Sequence, residues 1–266
     1  EWNGGELDSF LIEITANILR FRDEDGKPLL DKILDVAGQK GTGKWSAIAA
    51  MDENDPLTLI TEAVYARLLS ALYPERIKAA SLYSGKLKVE SGKLSDNAQL
   101  SIEDVRQALY AAKLISYAQG FSLLRHASEH YGWDLDYGTI ARIWRKGCII
   151  RSVFLQKITE AYRKDPDLEN LLFDDFFHTK IQEALPAWRR VVAEGALSGV
   201  ALPAMSSALN YFDGLRTLYS AANMIQAQRD YFGAHTYERT DRERGHFFHT
   251  NWTGEGGNTV SGTYSV

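Results

Sequence analysis

The stretch that most constrains the fold runs from Ser101 to Gly132, where apolar residues recur at helical spacing for about thirty residues. Its start, Ser101-Ile102-Glu103-Asp104, has the pattern of a capping box, in which Ser101 and Asp104 satisfy each other's backbone N–H groups. The apolar positions that continue the pattern are Ala108, Leu109, Ala112, Ile115, Ala118 and Leu123. Such a long apolar helix predicts the buried centre of a bundle, because a surface helix carries a single apolar stripe.

Helical spacing also occurs through most of the remaining chain. The predicted helices cover about 6–21, 56–73, 137–145, 152–163, 174–194, 203–219 and 221–231. Residues 85–101 are rich in Gly, Ser, Lys and Asp, which predicts an exposed connection. No strand alternation is evident, and the polar composition beyond His235 predicts an extended tail. We therefore expect an all-α multi-helix bundle with a long central helix and a C-terminal tail.

The bulk composition excludes several classes of function. The 266 residues are 45% hydrophobic, which suffices for a core in one large domain or two small ones. A net charge of −5 argues against nucleic acid as a partner, and no apolar run is long enough to span a membrane. Cys148 is the single cysteine, so an internal disulfide or a cysteine-rich metal site is impossible. Its apolar neighbours predict a buried, inert thiol, and a reducing cytoplasmic setting fits.

A glycine-rich stretch, Asp35–Trp45, has the strongest chemical pattern. Three glycines in six positions are interspersed with Lys40, Thr42 and Lys44, and a helix follows. Such a loop at a helix N-terminus suits an anion, most often a phosphate. An ordinary solvated loop is one alternative. The phosphate loop of nucleotide hydrolases is another, but the Ser or Thr that holds magnesium there is replaced by Trp45.

Arg67 is the second candidate for anion binding. At helical spacing it falls on the apolar stripe that Ile60 and Val64 define. An arginine on a buried stripe needs a partner, which leaves two alternatives. Arg67 forms a structural ion pair with Glu62 or Asp52, or its forked guanidinium binds a phosphate.

An internal similarity suggests a duplication. The pattern of Trp2–Leu7 is similar to that of Trp144–Ile149, and Ser9–Ile12 matches Ser152–Leu155 with a slip of one residue. The second copy follows the long helix that starts at about residue 101, whereas nothing comparable precedes the first copy. We therefore expect two helical repeats, of which the first lacks its leading long helix, and a chain that starts within a larger protein.

Several blocks together resemble 6-phosphogluconate dehydrogenase, a decarboxylating enzyme of the pentose phosphate pathway. The resembling blocks are Ile33–Trp45, Leu11–Thr15, Ile115–Gly120, Cys148–Ser152, Gln226–His235 and His249–Gly254. The resemblance implies the duplicated all-helical C-terminal domain over 1–220 and a tail over 221–266 that reaches the partner subunit of a homodimer. It implies NADP as cofactor, 6-phosphogluconate as substrate, ribulose 5-phosphate and CO2 as products, and no metal.

The same resemblance implies roles for five residues. Lys40, Thr42 and Arg67 match positions that bind the phosphate end of the substrate; Arg229 and His235 match positions that reach from the tail into the other subunit's site. Gly233 is expected to end the last helix and to let His235 turn back. The other histidines have no metal-ligand spacing.

The catalytic residues are expected outside this chain. In the resembled family, a general-base lysine and a general-acid glutamate lie on the long helix before the first repeat, upstream of residue 1. The G-x-G-x-x-G pattern of a coenzyme domain is also absent from the sequence, so we expect an N-terminal coenzyme-binding domain as a partner and no catalysis by this chain alone. The alternatives are a nucleotide-phosphate binder with a P-loop-like site and a non-catalytic helical interaction module.

Overall fold

The computed structural model describes residues 1–83, 100–145 and 147–254, and the all-α prediction is confirmed. The α-helices are α1 (Phe10–Arg20), α2 (Thr42–Asp52), α3 (Thr58–Ala71), α4 (Tyr73–Tyr83), α5 (Ile102–Tyr131), α6 (Tyr137–Ile143), α7 (Leu155–Lys164), α8 (Asp175–Leu197), α9 (Pro203–Leu215) and α10 (Ala222–Gly233). Short 3-10 turns occupy Trp2–Gly4, Leu29–Lys32 and Leu171–Phe173. Two strands that the sequence did not predict, β1 (Tyr237–Glu238) and β2 (Phe247–Phe248), pair antiparallel.

The long helix α5 is the buried centre of the first unit, as predicted. The capping box is present: Ser101 Oγ accepts the N–H of Asp104 at 3.0 Å, and Asp104 accepts the N–H of Ser101 at 2.9 Å. Gly132 ends the helix with a φ of 65°. The core residues of α5 with almost no exposed surface are Ala108, Ala111, Leu114, Ile115, Ala118, Gln119 and Phe121. Because α5 lies against α8, the side chains of both helices form one core.

Helix α8 contributes the largest buried side chains. Asp174 caps it by accepting the N–H of Phe176 at 3.0 Å. Trp188 has no exposed surface, and its indole N–H donates to the carbonyl of Met205 at 3.2 Å. That hydrogen bond satisfies the polar atom of a buried aromatic ring, as burial of a tryptophan requires.

Two expectations about local structure need correction, and a third falls mostly on residues that the structure does not describe. The predicted helix over 56–73 is α3, and a further helix that was not predicted, α4, follows it after a break at Leu72, where the backbone leaves the helical conformation. Cys148 is half-buried rather than buried, because its apolar run lies in a turn between α6 and α7, where Ile149 is 63% exposed. The predicted connection over 85–101 lies outside the described residues except for 100 and 101.

The segments that suggested a duplication lie next to each other. Ser9 and Ser152 form an antiparallel bridge, with the N–H of Phe10 donating to Arg151 at 3.2 Å and the N–H of Val153 donating to Asp8 at 3.0 Å. The duplication itself stays a prediction.

The chain divides into two compact units, Glu1–Phe212 and Asp213–Val266, and each is described by itself. The first unit holds α1 to α8 and most of α9, whereas the second holds α10 and the β1–β2 pair. Within the described part of the chain, no helix combines the length and the apolarity that a membrane span needs.

Candidate functional site

The glycine-rich stretch forms an exposed loop that ends in the first turn of α2. Gly41 adopts a φ of 105°, a conformation that favours glycine, and precedes the helix at Thr42. None of the described side chains caps this helix start. The first N–H groups of a helix have no partner inside the helix, so those of α2 face solvent or a ligand. Lys40, Thr42 and Lys44 are all exposed around this helix start.

The beginning of the loop is fixed to α3 and α4. The N–H of Ala37 donates to Ser70 Oγ at 2.9 Å, and the Ser70 hydroxyl donates to the carbonyl of Arg67 at 2.7 Å. Arg76 forms an ion pair with Asp35 and also donates to the Asp35 carbonyl at 3.2 Å. Hydrogen bonding to the Arg76 guanidinium lowers the pKa of the Asp35 carboxyl. The first part of the loop is therefore held on the side of α3 that carries Arg67.

The end of the loop is held by a close approach of two helices. A Cβ atom added to Gly43 would lie 2.9 Å from Cγ2 of Val64, so α2 and α3 touch at this position. The loop therefore runs along α3 from Ser70 to Val64, and Arg67 lies between those two contact points in the helix. Lys40 and Thr42 are exposed on this loop and at its end, and Arg67 is exposed on the stretch of α3 that the loop follows; we call these three residues the loop surface.

Arg67 differs from the expectation in one respect. The sequence placed it on a buried stripe, but the side chain is exposed, as are those of Leu68 and Leu69 next to it. The prediction that Arg67 is buried is wrong because, in the described part of the chain, nothing covers the C-terminal half of α3. Among the described residues Arg67 has no ion pair with a carboxylate, so the predicted pairing with Glu62 or Asp52 is not observed. No described carboxylate would therefore compete with an anion for its guanidinium.

The second unit contains Arg229 and His235 at the end of α10. Arg229 is half-buried, and its Nη1 donates to Oε1 of Gln226 at 3.0 Å. The backbone N–H of His235 donates to the carbonyl of Arg229 at 3.5 Å, and the His235 ring lies over Gly233, where an added Cβ would meet it at 2.9 Å. His235 thus folds back over the last turn of the helix.

The reason for this turn differs from the predicted one. Gly233 is still helical, and the residue with the left-handed backbone is Ala234, with a φ of 49°. Gly233 serves instead to leave room for the His235 ring. A left-handed alanine is strained, and it is held here because its N–H donates to the carbonyl of Asp230 at 2.9 Å.

Asp230 is a residue that the sequence analysis missed. Its carboxylate is fully buried and accepts hydrogen bonds from His249 Nδ1 at 2.8 Å, the N–H of Thr250 at 3.0 Å and the indole of Trp252 at 2.8 Å. Burial alone raises the pKa of Asp230, but these three donors together outweigh burial and lower it. We call Gln226, Arg229, Asp230 and His235 the tail hook.

A signal for Asp230 was present but weak. His249 and Trp252 belong to a block of the resemblance, yet no role could be given to them because their partner lies about twenty residues earlier in the sequence.

The two sets of residues suit the same chemistry. The loop surface offers an ammonium, a hydroxyl and a guanidinium, and the tail hook offers a guanidinium and an imidazole; all are donors for a phosphate. Within the described ranges, no group of three His, Cys, Asp or Glu residues could hold a metal ion. The described residues also contain no strand–turn–helix unit that could cradle a dinucleotide.

Comparison with known proteins finds a matching family and several similar sequences. The family model of the 6-phosphogluconate dehydrogenase C-terminal domain matches residues 1–252. A rat protein named 6-phosphogluconate dehydrogenase, decarboxylating, is 56% identical over 266 residues, which is all of this chain and 54% of the rat protein. The human protein of the same name is 54% identical over the same length and the same share. The chain therefore spans about half the length of the curated relatives it matches.

A solved structure is also similar. The Plasmodium falciparum 6-phosphogluconate dehydrogenase superposes with a TM-score of 0.85 at 43% identity, covering 94% of this chain and 53% of that one. That enzyme was solved in its apo form, with NADP+ and with 6-phosphogluconate.

Proposed function

The chain belongs to the family of the 6-phosphogluconate dehydrogenase C-terminal domain, and we propose that it is the substrate-binding and dimerising half of a decarboxylating 6-phosphogluconate dehydrogenase. The observation that carries the proposal is the match over residues 1–252, and the loop surface supports it, since Lys40 and Thr42 lie at the start of α2 and Arg67 lies on the adjoining helix α3.

In this proposal the loop surface holds the phosphate of 6-phosphogluconate. A phosphate carries between one and two negative charges and three acceptor oxygens at neutral pH. The forked guanidinium of Arg67 matches two of those oxygens, Lys40 supplies a point charge, and Thr42 donates from its hydroxyl. The uncapped N–H groups of α2 add the positive end of a helix dipole. Holding the phosphate fixes the sugar chain relative to the half that performs the chemistry.

The reaction consists of two steps at the other end of the substrate. Oxidation at C3 would transfer a hydride to NADP+ and the hydroxyl proton to the general base, which gives a 3-keto acid. Loss of the carboxyl group as CO2 would leave an enediol, and its protonation by the general acid would give ribulose 5-phosphate. The described residues do not fit a dinucleotide, so the proposal assigns NADP to the N-terminal coenzyme-binding half. The general-base lysine and general-acid glutamate are assigned to that part as well. This chain by itself is expected to be inactive.

Two other functions were considered. In a P-loop-like nucleotide binder, a Ser or Thr would follow Lys44 to hold magnesium, but the position is Trp45, whose ring lies against Gly41 at 3.4 Å from an added Cβ. A non-catalytic interaction module would not need the exposed cations of the loop surface, which pair with no carboxylate among the described residues, so nothing specific favours it.

The test is an assay of the whole enzyme, made of this chain and its coenzyme-binding half. Incubation with 6-phosphogluconate and NADP is expected to yield NADPH, CO2 and ribulose 5-phosphate in equal amounts. NADPH formation that is absent, together with magnesium-dependent binding of ATP or GTP, would support the nucleotide binder instead. Absence of both activities would favour the interaction module.

We also infer that the enzyme is a homodimer in which the tail from about Ala221 packs on the partner subunit. The motive is a set of large aromatic side chains that the second unit leaves exposed: Tyr219, Tyr231, Phe232, Phe247 and Trp252. A short unit with so many exposed rings is typical of an interface. A cytoplasmic location belongs to the same proposal.

Subunit mixing tests the exchange of tails. One variant carries Arg229→Ala, and the other lacks the general-base lysine. If Arg229 acts in the neighbouring site, a mixed dimer has one complete site and recovers about half of wild-type activity, because the lysine-deficient subunit supplies an intact tail. If Arg229 acts in its own subunit, every site lacks one component and the mixture stays inactive. Mass spectrometry of the intact dimers confirms that exchange has occurred.

A further inference from the structure

Gln226 accepts one hydrogen bond and donates another within the tail hook. Its Oε1 accepts from Nη1 of Arg229 at 3.0 Å, and its Nε2 donates to the carbonyl of Thr236 at 2.6 Å. Residue 229 follows 226 by three positions on α10, so the two side chains are neighbours on the helix surface. Thr236 immediately follows His235. One amide therefore contacts Arg229 and the backbone next to His235.

An amide side chain of this length can make both bonds, whereas a charged side chain cannot. A carboxylate accepts but cannot donate to a carbonyl at neutral pH, and an ammonium donates but cannot accept from a guanidinium. The amide is also neutral, which matters for the charge of Arg229. Other arginines of the chain are paired with carboxylates, such as Arg76 with Asp35 and Arg151 with Glu13. Within the described residues, Arg229 has no such partner.

A neutral partner orients a guanidinium without cancelling its charge. A carboxylate in the same place would compete with a phosphate for the same N–H donors. The Gln226 contact leaves the full positive charge of Arg229 available, and it uses a single N–H of the five that the guanidinium has.

From this geometry we propose that Gln226 is a positioning residue for phosphate binding by the tail: it sets the guanidinium of Arg229 and the backbone that carries His235 at a fixed separation. The inference rests on the proposed function, because it deepens the role of Arg229 and His235 in binding the substrate phosphate. Gln226 itself is not assigned a contact with the substrate.

The experiment is a double-mutant cycle in the whole enzyme, with the Kd for 6-phosphogluconate as the readout. The variants are Gln226→Met, which keeps the length but removes both hydrogen bonds, Arg229→Met, and the two combined. Gln228→Met is the matched control, since Gln228 is exposed on the same helix. Gln226→Met is expected to weaken binding about tenfold, the scale of one hydrogen bond to a charged group, and Gln228→Met to leave the Kd unchanged.

The combined variant separates positioning from a general structural effect. If Gln226 acts through Arg229 and the backbone of His235, Gln226→Met costs less affinity in the Arg229→Met background than in the unsubstituted enzyme, and the remaining loss is the part that acts through His235. Additive losses in the combined variant would overturn the proposal, because Gln226 would then act independently of Arg229. A normal Kd for Gln226→Met, with weak binding by Arg229→Met, would also overturn it and leave the proposed function intact. A normal Kd for Arg229→Met would instead contradict the proposed role of the tail.

Gln226→Glu supplies a second, independent variant. It keeps the acceptor for Arg229, loses the donor to Thr236 and adds a negative charge. We expect it to weaken 6-phosphogluconate binding at least as much as Gln226→Met does, because the carboxylate competes with the phosphate. Binding as tight as in the unsubstituted enzyme would mean that neither the neutrality of residue 226 nor its bond to Thr236 matters, which contradicts the proposal.

Discussion

The loop surface and the tail hook contain similar donors but are built differently. On the loop surface, Lys40, Thr42 and Arg67 are exposed, and only the backbone around them is fixed. In the tail hook, Arg229 and His235 are half-buried, and neighbouring groups hold them within α10 and the segment after it. The first arrangement leaves its side chains to be ordered by a ligand, whereas the second orders them in advance.

This difference predicts how substitutions in each region change substrate affinity and stability. Immobilising a long side chain on binding costs about 0.5–1.5 kcal/mol, and a preorganised group avoids most of that cost. Substitutions on the loop surface should therefore change affinity for the substrate with little effect on stability. Substitutions that loosen the tail hook should change the stability of the tail as well as affinity.

The largest effect is expected from Arg67→Ala in the whole enzyme. Without the forked guanidinium, the phosphate of 6-phosphogluconate loses a charged partner, so the variant should bind this substrate about 2–5 kcal/mol more weakly. That is the scale for breaking a desolvated charge pair. Binding of NADP should change far less, and the melting temperature should stay the same because Arg67 is exposed. Titration of each ligand by calorimetry measures both affinities. Arg20→Ala, at an exposed arginine of α1, is the control.

The outcome decides between the two roles considered for Arg67. Normal substrate binding combined with earlier melting would identify Arg67 as a structural ion-pair residue in the whole enzyme. The loop surface would then stabilise the fold through Arg67 rather than bind the phosphate with it.

The tail hook should respond to Asp230→Asn with a loss of local stability of about 1.5–3 kcal/mol, the scale of a hydrogen bond to a charged group. The asparagine amide keeps the shape of the carboxylate, but its NH2 group replaces one acceptor oxygen with a donor. That donor faces the hydrogen-bond donors of residues 249–252. Hydrogen exchange at the amide of Thr250, which donates to Asp230 at 3.0 Å, measures the effect directly. Asp241→Asn, at an exposed aspartate of the same unit, is the control.

The pH dependence of the same contact has a definite sign. The folded pKa of Asp230 lies below the ordinary aspartate value of 3.8, so its contribution to stability is fully present above that value. The contribution is lost as the pH falls through the lowered folded value. Protection of the Thr250 amide should therefore decrease in acid below about pH 4 in the unsubstituted protein. Protection in Asp230→Asn should be weak at every pH.

Local patterns made much of the first unit predictable. The capping box of α5 and its buried face were predicted because a cap and an apolar repeat lie within one stretch of sequence. Helix α4 was missed because Pro74 lies next to the predicted end of the preceding helix, although proline is accepted in the first turn of a helix.

Contacts between distant residues explain what the sequence could not predict. The exposure of Arg67 depends on which element covers α3, and a periodic pattern assumes a covering element without identifying it. The role of Asp230 depends on partners in the segment after β2, which the spacing within α10 does not reveal. The loop cations were identified because glycine density and donor type are local properties.

The smallest expected effects come from two glycines that form close contacts, one beside the loop surface and one in the tail. A Cβ would lie 2.9 Å from Val64 at Gly43 and 2.9 Å from the His235 ring at Gly233. Alanine is the better helix former by about 1 kcal/mol in both helices, so the outcome depends on what must move. Val64 is a β-branched side chain with one favoured rotamer in a helix, whereas the imidazole of His235 can rotate away.

Gly43→Ala should therefore push α2 away from α3, lower the free energy of unfolding by about 1 kcal/mol and weaken substrate binding through Thr42.

Gly233→Ala should leave the free energy of unfolding within about 0.5 kcal/mol of the original value, because a surface substitution with a movable neighbour costs little. It should still weaken substrate binding by displacing His235. Chemical denaturation and substrate titration of both variants separate these outcomes. In a His235→Ala background, Gly233→Ala should change affinity no further, since the ring that it displaces is gone. A loss of affinity that persists in that background would show that Gly233 acts on the tail backbone. The tail hook would then be ordered by its backbone conformation rather than by its side-chain contacts.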